Sequence, residues 1–136
     1  RYHVQDACFS DVSIVRGKEV WRLTGAHELP CLKNTTLTLK ILKLLKRLLH
    51  GEEKNEELFN IIEVLYSTPV SDDEFDIVET LTVFRILNTL GYIKNDEETK
   101  PFLESNSLDK DVLVKFLTIK SKVIGMINNA LKESQL

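Results

Sequence analysis

The cations of one short stretch carry the plainest chemical suggestion in this chain. In TTLTLKILKLLKRLLH (35–50), Lys40, Lys43 and Arg47 fall within about 60° of one another at helical spacing, Lys46 lies on the same helix, and no acid interrupts them. Such a row neutralises phosphates without reading base sequence. The same pattern also fits the solvated face of a packed helix, or a membrane-surface helix, for which no aromatic marks the interface. Arg16, Lys18 and Arg22, further upstream, extend the basic character of this end of the chain.

Other chemistry finds less support. An enzyme needs a nucleophile beside a base, or paired carboxylates in an apolar setting, and no such arrangement can be read here. The histidines are His3, His27 and His50, and the cysteines Cys8 and Cys31. A zinc site drawn from His3, Cys8, His27 and Cys31 is conceivable, but it lacks the usual two-residue cysteine spacing. Asp72, Glu74 and Asp76 alternate as Ca²⁺ ligands do, yet no glycine follows at the sixth loop position, and acids at a helix start match its dipole. The five glycines are scattered and form no phosphate loop. No cofactor and no small-molecule substrate are expected, and the chain reads as a binding protein, not an enzyme.

Composition narrows the setting. With 136 residues, 43% of them hydrophobic and 29% charged, the chain has enough apolar material for one core. No apolar run approaches a bilayer span and nothing reads as a signal peptide, so a cytoplasmic protein without membrane contact is expected. Two cysteines are too few for a disulfide scaffold. The net charge of −3 conceals an uneven distribution: +5 over residues 1–51, −10 over 52–104 and +2 over 105–136. A basic first third beside an acidic middle suggests a polyanion for one face and solvation, or a basic protein, for the other.

The elements that must position these charges are mostly helical. The spacing predicts helices over 35–50, 56–67, 72–91 and 109–133. In the third, Phe75, Ile77, Val78, Leu81, Val83, Phe84, Ile86, Leu87 and Leu90 point nearly all round the axis, so it must be a central post with Phe84 and Leu87 buried. Ser71 with Glu74 has capping-box spacing at its start, and Gly91 stops it. Leu37, Ile41, Leu44, Leu45 and Leu48 make the core stripe of the first helix, widened by Leu42 and Leu49. Asn55 caps the second, defined by Leu58, Phe59, Ile61, Ile62, Leu65 and Tyr66. Asp109 or Ser107 caps the last, whose apolar positions run through Leu113, Phe116, Leu117, Val123, Ile124, Ile127 and Leu131. Gly125 within it marks close helix packing.

Before the helices, FSDVSIVRGKEVWRLT (9–24) has the pattern of an antiparallel hairpin turning at Arg16 to Glu19. Trp21 is a core or sheet-face residue, with base stacking as the other reading. A two-stranded ribbon is marginal alone, so it belongs to a larger sheet. Because RYHVQDACFSD looks like the interior of a strand-rich region, more chain is expected upstream. Residues 26–34, with Pro30, form a linker.

Read together, RYHVQDACFSDVSIVRGKEVWRLTGAHEL, the helix end FRILNTLGY (84–92) and the closing KSKVIGMINNALKESQL resemble, in the right order, the bacterial recombination mediator family RecO. The resemblance implies a mostly α, overall α+β chain: the last strands of an incomplete OB-type barrel over 1–29, then a helical domain over 30–136. It also implies a DNA repair and recombination mediator that binds single- and double-stranded DNA, promotes annealing and helps load recombinase, with a RecR-like protein and single-strand-binding protein as partners. Arg16, Lys18, Arg22, Lys40, Lys43, Lys46 and Arg47 would then be the DNA contacts. Many members carry a zinc-binding cysteine cluster after the Leu-Gly-Tyr stop; KNDEETKPFLESNS here has none, and Phe102 is the apolar anchor expected in its place. The alternative is a helical adaptor that binds proteins only.

Overall fold

In a computed structural model the chain is described over residues 10–16, 20–28, 35–51 and 54–134. Two strands come first, β1 (Ser10–Arg16) and β2 (Trp21–Glu28), followed by five helices: α1 (Thr35–Leu48), α2 (Glu56–Ser67), α3 (Phe75–Thr89), α4 (Lys110–Leu117) and α5 (Lys120–Glu133). The described chain is thus mostly helical.

β1 and β2 pair antiparallel, from Arg16 opposite Trp21 out to Ser10 opposite Glu28. The hairpin is longer than the expected 9–24, because Gly25 to Glu28 remain in the ladder; a linker beginning at residue 26 is therefore corrected. The register slips between Ser13 and Ile14, which oppose Gly25 and Leu23, so Thr24 is the extra residue of a bulge. Strict alternation along β2 ends there. Residues 1–9, 17–19, where a turn is expected, and 29–34 lie outside the described residues, and with them His3, Cys8, Lys18 and Cys31.

α3 is the central post. Nine of its fifteen residues are buried, among them Phe84 and Leu87 at 0% exposure, and α1, α2, α4 and α5 all pack against it. Burial on every side follows from apolar residues on every side. Its start differs from expectation: Asp72–Glu74 form a separate 3-10 turn ahead of the α-helix. Ser71 and Glu74 make no reciprocal capping box. The Ser71 hydroxyl instead donates to Glu74 Oε1 at 2.8 Å, and the Glu74 amide bonds the Ser71 carbonyl. At the far end Gly91 takes φ +86° and lets the Tyr92 amide reach back to the Leu87 carbonyl at 2.8 Å.

α1 buries Leu37, Ile41, Leu45 and Leu48 against the core, with Leu44 at its edge. Leu42 and Leu49, read as widening that stripe, are exposed. Asn55 caps α2 as expected, its Oδ1 accepting from the Leu58 amide at 2.9 Å. α2 ends where Thr68, bonded through its hydroxyl to the Val64 carbonyl, turns extended ahead of Pro69. Phe59 stays 52% exposed on its outer face.

The expected single helix over 109–133 is two. The Thr118 hydroxyl takes the Lys115 carbonyl at 2.7 Å, and the break turns Ile119 inward to 6% exposure. α5 can then run back along α3, burying Val123, Ile127 and Ala130. Leu117 and Ile124, read as core, are exposed. Asp109 stands at the cap of α4 without a side-chain cap bond, while the Ser107 hydroxyl accepts from the Asp109 amide. Gly125 faces open space, with nothing within 4 Å of an added Cβ, so close packing is not its reason for being there.

Candidate nucleic-acid interface

α1 puts its leucines inward and so must put its lysines outward, since apolar positions three and four apart occupy one face. Lys43, Lys46 and Arg47 are all exposed, and none makes an ion pair among the described residues. Lys43 and Arg47, four residues apart, stand about 6 Å apart along the axis. They form an unneutralised basic row.

Lys40 departs from that row. Its Nζ lies 2.9 Å from Glu79 Oε2 on α3 and 5.8 Å from the centre of the Phe75 ring. α1 lacks acids in sequence, yet the fold brings one to it from 39 residues away. Lys40 is thus part of the α1–α3 seam, and the cations of α1 without an ion pair among the described residues are Lys43, Lys46 and Arg47. Arg22 is exposed on β2. Arg16 closes β1 opposite Trp21. The structure does not describe Lys18, so the turn's part in the row lies outside the described residues.

The last turn of α1 leads into a cleft of about 250 Å³ lined by Leu48, Leu49, His50, Gly51, Lys54, Asn55, Leu90 and Tyr92. Among the described residues no carboxylate lines it. Gly51, at φ +92°, and Tyr92, 37% exposed and with its backbone set by the Gly91 cap, both belong to this lining. Sequence reasoning passed over this cleft, since His50 and Tyr92 are 42 positions apart and only the packing of α1 beside the end of α3 joins them.

A second depression, of about 430 Å³, runs between the start of α3 and α4. Ile77, Leu113, Val114 and Leu117 give it an apolar lining, with Asp73 and Asp76 on one side and Lys110 and Lys120 on the other. Lys120 pairs with Asp76 across it.

After Tyr92 the loop is organised by Asp96. Its Oδ1 accepts from the amides of Glu98 at 3.0 Å and Thr99 at 2.9 Å, and its Oδ2 from Lys122 of α5 at 2.7 Å; Lys122 also reaches Glu98 at 3.0 Å. The Lys122 hydrogen bond, followed by the Thr99 amide, holds the Asp96 carboxyl down to about 2, and Asp96 and Glu98 in turn raise the Lys122 ammonium. Phe102, half-buried, meets Phe116 edge-on at 5.3 Å, which gives the loop the apolar anchor expected of it. No group of three or more His, Cys, Asp or Glu stands ready for a metal among the described residues, and no described helix is long and apolar enough to cross a membrane. Compared with family models, curated proteins and solved structures, the chain matches none.

Proposed function

We propose that the chain is a nucleic-acid-binding module whose α1 follows the phosphate backbone, acting as a RecO-like mediator of DNA repair and recombination, with its hairpin the remnant of an OB-type barrel. The observation that carries this reading is the triplet Lys43, Lys46 and Arg47, exposed and without a carboxylate partner among the described residues. Paired cations would release no counterions on binding DNA; unpaired ones do. Arg22 on β2 adds a cation from the neighbouring element. The resemblance of the hairpin, the Leu-Gly-Tyr stop and the closing helix to the RecO family supplies the mediator role, with RecR-like and single-strand-binding proteins as partners. The reaction class is strand binding and annealing, without bond making.

Reversing Lys43, Lys46 and Arg47 to Glu tests it. Single-stranded DNA binding weakens for all sequences alike, and the slope of log affinity against log salt flattens by about two units, at roughly 0.7 per neutralised phosphate. Folding survives, because exposed charges contribute little to stability. An unchanged affinity and slope would reduce the row to a solvated face. The apolar depression beside α4, where Val114 and Leu117 are 64% and 56% exposed, favours the second reading, a protein-only adaptor. An adaptor shows no salt-dependent retention on DNA.

A further inference from the structure

We infer that the cleft at the end of α1 receives one unpaired nucleobase, stacked on Tyr92, from a strand whose phosphates follow Lys43 and Arg47. This rests on the phosphate-tracking reading of α1 and adds a preference for single strands to it.

Three features of the cleft point to a base and not to a phosphate. Its lining combines Leu48, Leu49 and Leu90 with Tyr92 and His50, residue types suited to a flat, weakly polar ring. At about 250 Å³ it is smaller than the usual cleft for a drug-sized ligand, which limits it to a single ring system. It also sits at the C-terminal end of α1, where the helix dipole is negative and, past the Leu45 carbonyl taken by the Leu49 amide, the carbonyls run out of helical donors. Those carbonyls repel a phosphate and accept N–H groups from a base edge.

The charges around the cleft agree. The basic row ends at Arg47, one residue before Leu48 enters the lining. After the lining residues Lys54 and Asn55 the chain continues into the exposed Glu56 and Glu57 at the start of α2, and Lys54 is already paired with Glu56 at 2.9 Å. A strand running along Lys43 and Arg47 therefore meets repulsion past the cleft and turns away, leaving one base behind. A duplex offers no such base without unpairing it.

The test compares a dye-labelled fifteen-nucleotide dT strand with a strand of fifteen abasic sites carrying the same phosphates, by fluorescence anisotropy on the full chain. The wild type is expected to bind dT about tenfold more tightly, within the range of one stacked base. Tyr92→Ala should abolish that preference while keeping the salt slope, and Tyr92→Phe should retain it, since stacking needs the ring and not the hydroxyl. Unfolding curves of both variants separate lost stacking from lost structure; the Tyr92 amide that caps α3 remains in each. If dT and the abasic strand bind wild type equally, the base cleft is overturned and the phosphate row stands. If neither binds, both fall together. A dT preference that survives in a folded Tyr92→Ala places the base elsewhere and overturns the assignment.

Discussion

Arg85 Nε donates to the backbone carbonyl of Phe102 at 2.8 Å, fastening the central helix to a loop residue 17 positions on. The side chain is 3% exposed, and its Nη2 is buried without a partner among the described residues. Burial draws the guanidinium below its ordinary value to about 10, so it remains charged at neutral pH. A buried cation held by one carbonyl gives up solvation for little return.

Replacing Arg85 by Met should therefore change stability by less than about 1.5 kcal/mol, because most of the volume stays while the buried charge goes. Arg85→Ala should cost about 3 kcal/mol, leaving a cavity and an open Phe102 carbonyl. Urea titration of both variants decides. Equal losses would mean that the cation, and not its volume, holds the loop.

Two glycines should respond in opposite directions. Gly91→Ala places a Cβ on a backbone at φ +86° and should lower stability by about 1 kcal/mol, even though nothing crowds that Cβ. Gly125→Ala fills open space in the middle of α5 and should raise stability by up to about 1 kcal/mol. Thermal melts of the two single variants read the sign directly. A destabilised Gly125→Ala would restore a packing role for that residue.

The clasp between Asp96 and Lys122 should fade in acid. The folded carboxyl lies below its ordinary value of 3.8, at about 2, so its contribution is present in full above that value and disappears as pH falls through the folded one. Asp96→Asn keeps an acceptor for the Glu98 and Thr99 amides and loses the charge. It should melt below the wild type at pH 7, with the gap closing between about pH 4 and 2. A gap that stays constant over that range would assign the loss to the amide hydrogen bonds.

Much of the helical part was legible in sequence because its signals are local. Asn55 before two glutamates, Pro69 after an extended Thr68, and Gly91 after a run of apolar residues each act through neighbours within a turn. The all-round apolar pattern of 75–90 likewise identified the central post, since nothing but other helices can cover such a surface. The largest misreading occurred where periodicity continued across a real break. Leu113 to Leu131 keeps helical spacing through Thr118 and Ile119, and only the need to bury Ile119 and fold α5 back along α3 shows why the helix divides there.

The candidate site divides in the same way. By itself the sequence determined that Lys43, Lys46 and Arg47 face outward, because leucines at helical spacing claim the inner side of α1. It equally showed Lys40 as one of the row, for no acid stands within a turn of it. The tertiary structure alone decided otherwise, setting Glu79 of α3 2.9 Å from its ammonium. In the same manner it brought Tyr92 to the end of α1 beside His50, and Lys122 to Asp96. A helix face follows from the spacing of adjacent residues, whereas a pair drawn from two helices depends on how those helices pack, and that is fixed by the whole core at once.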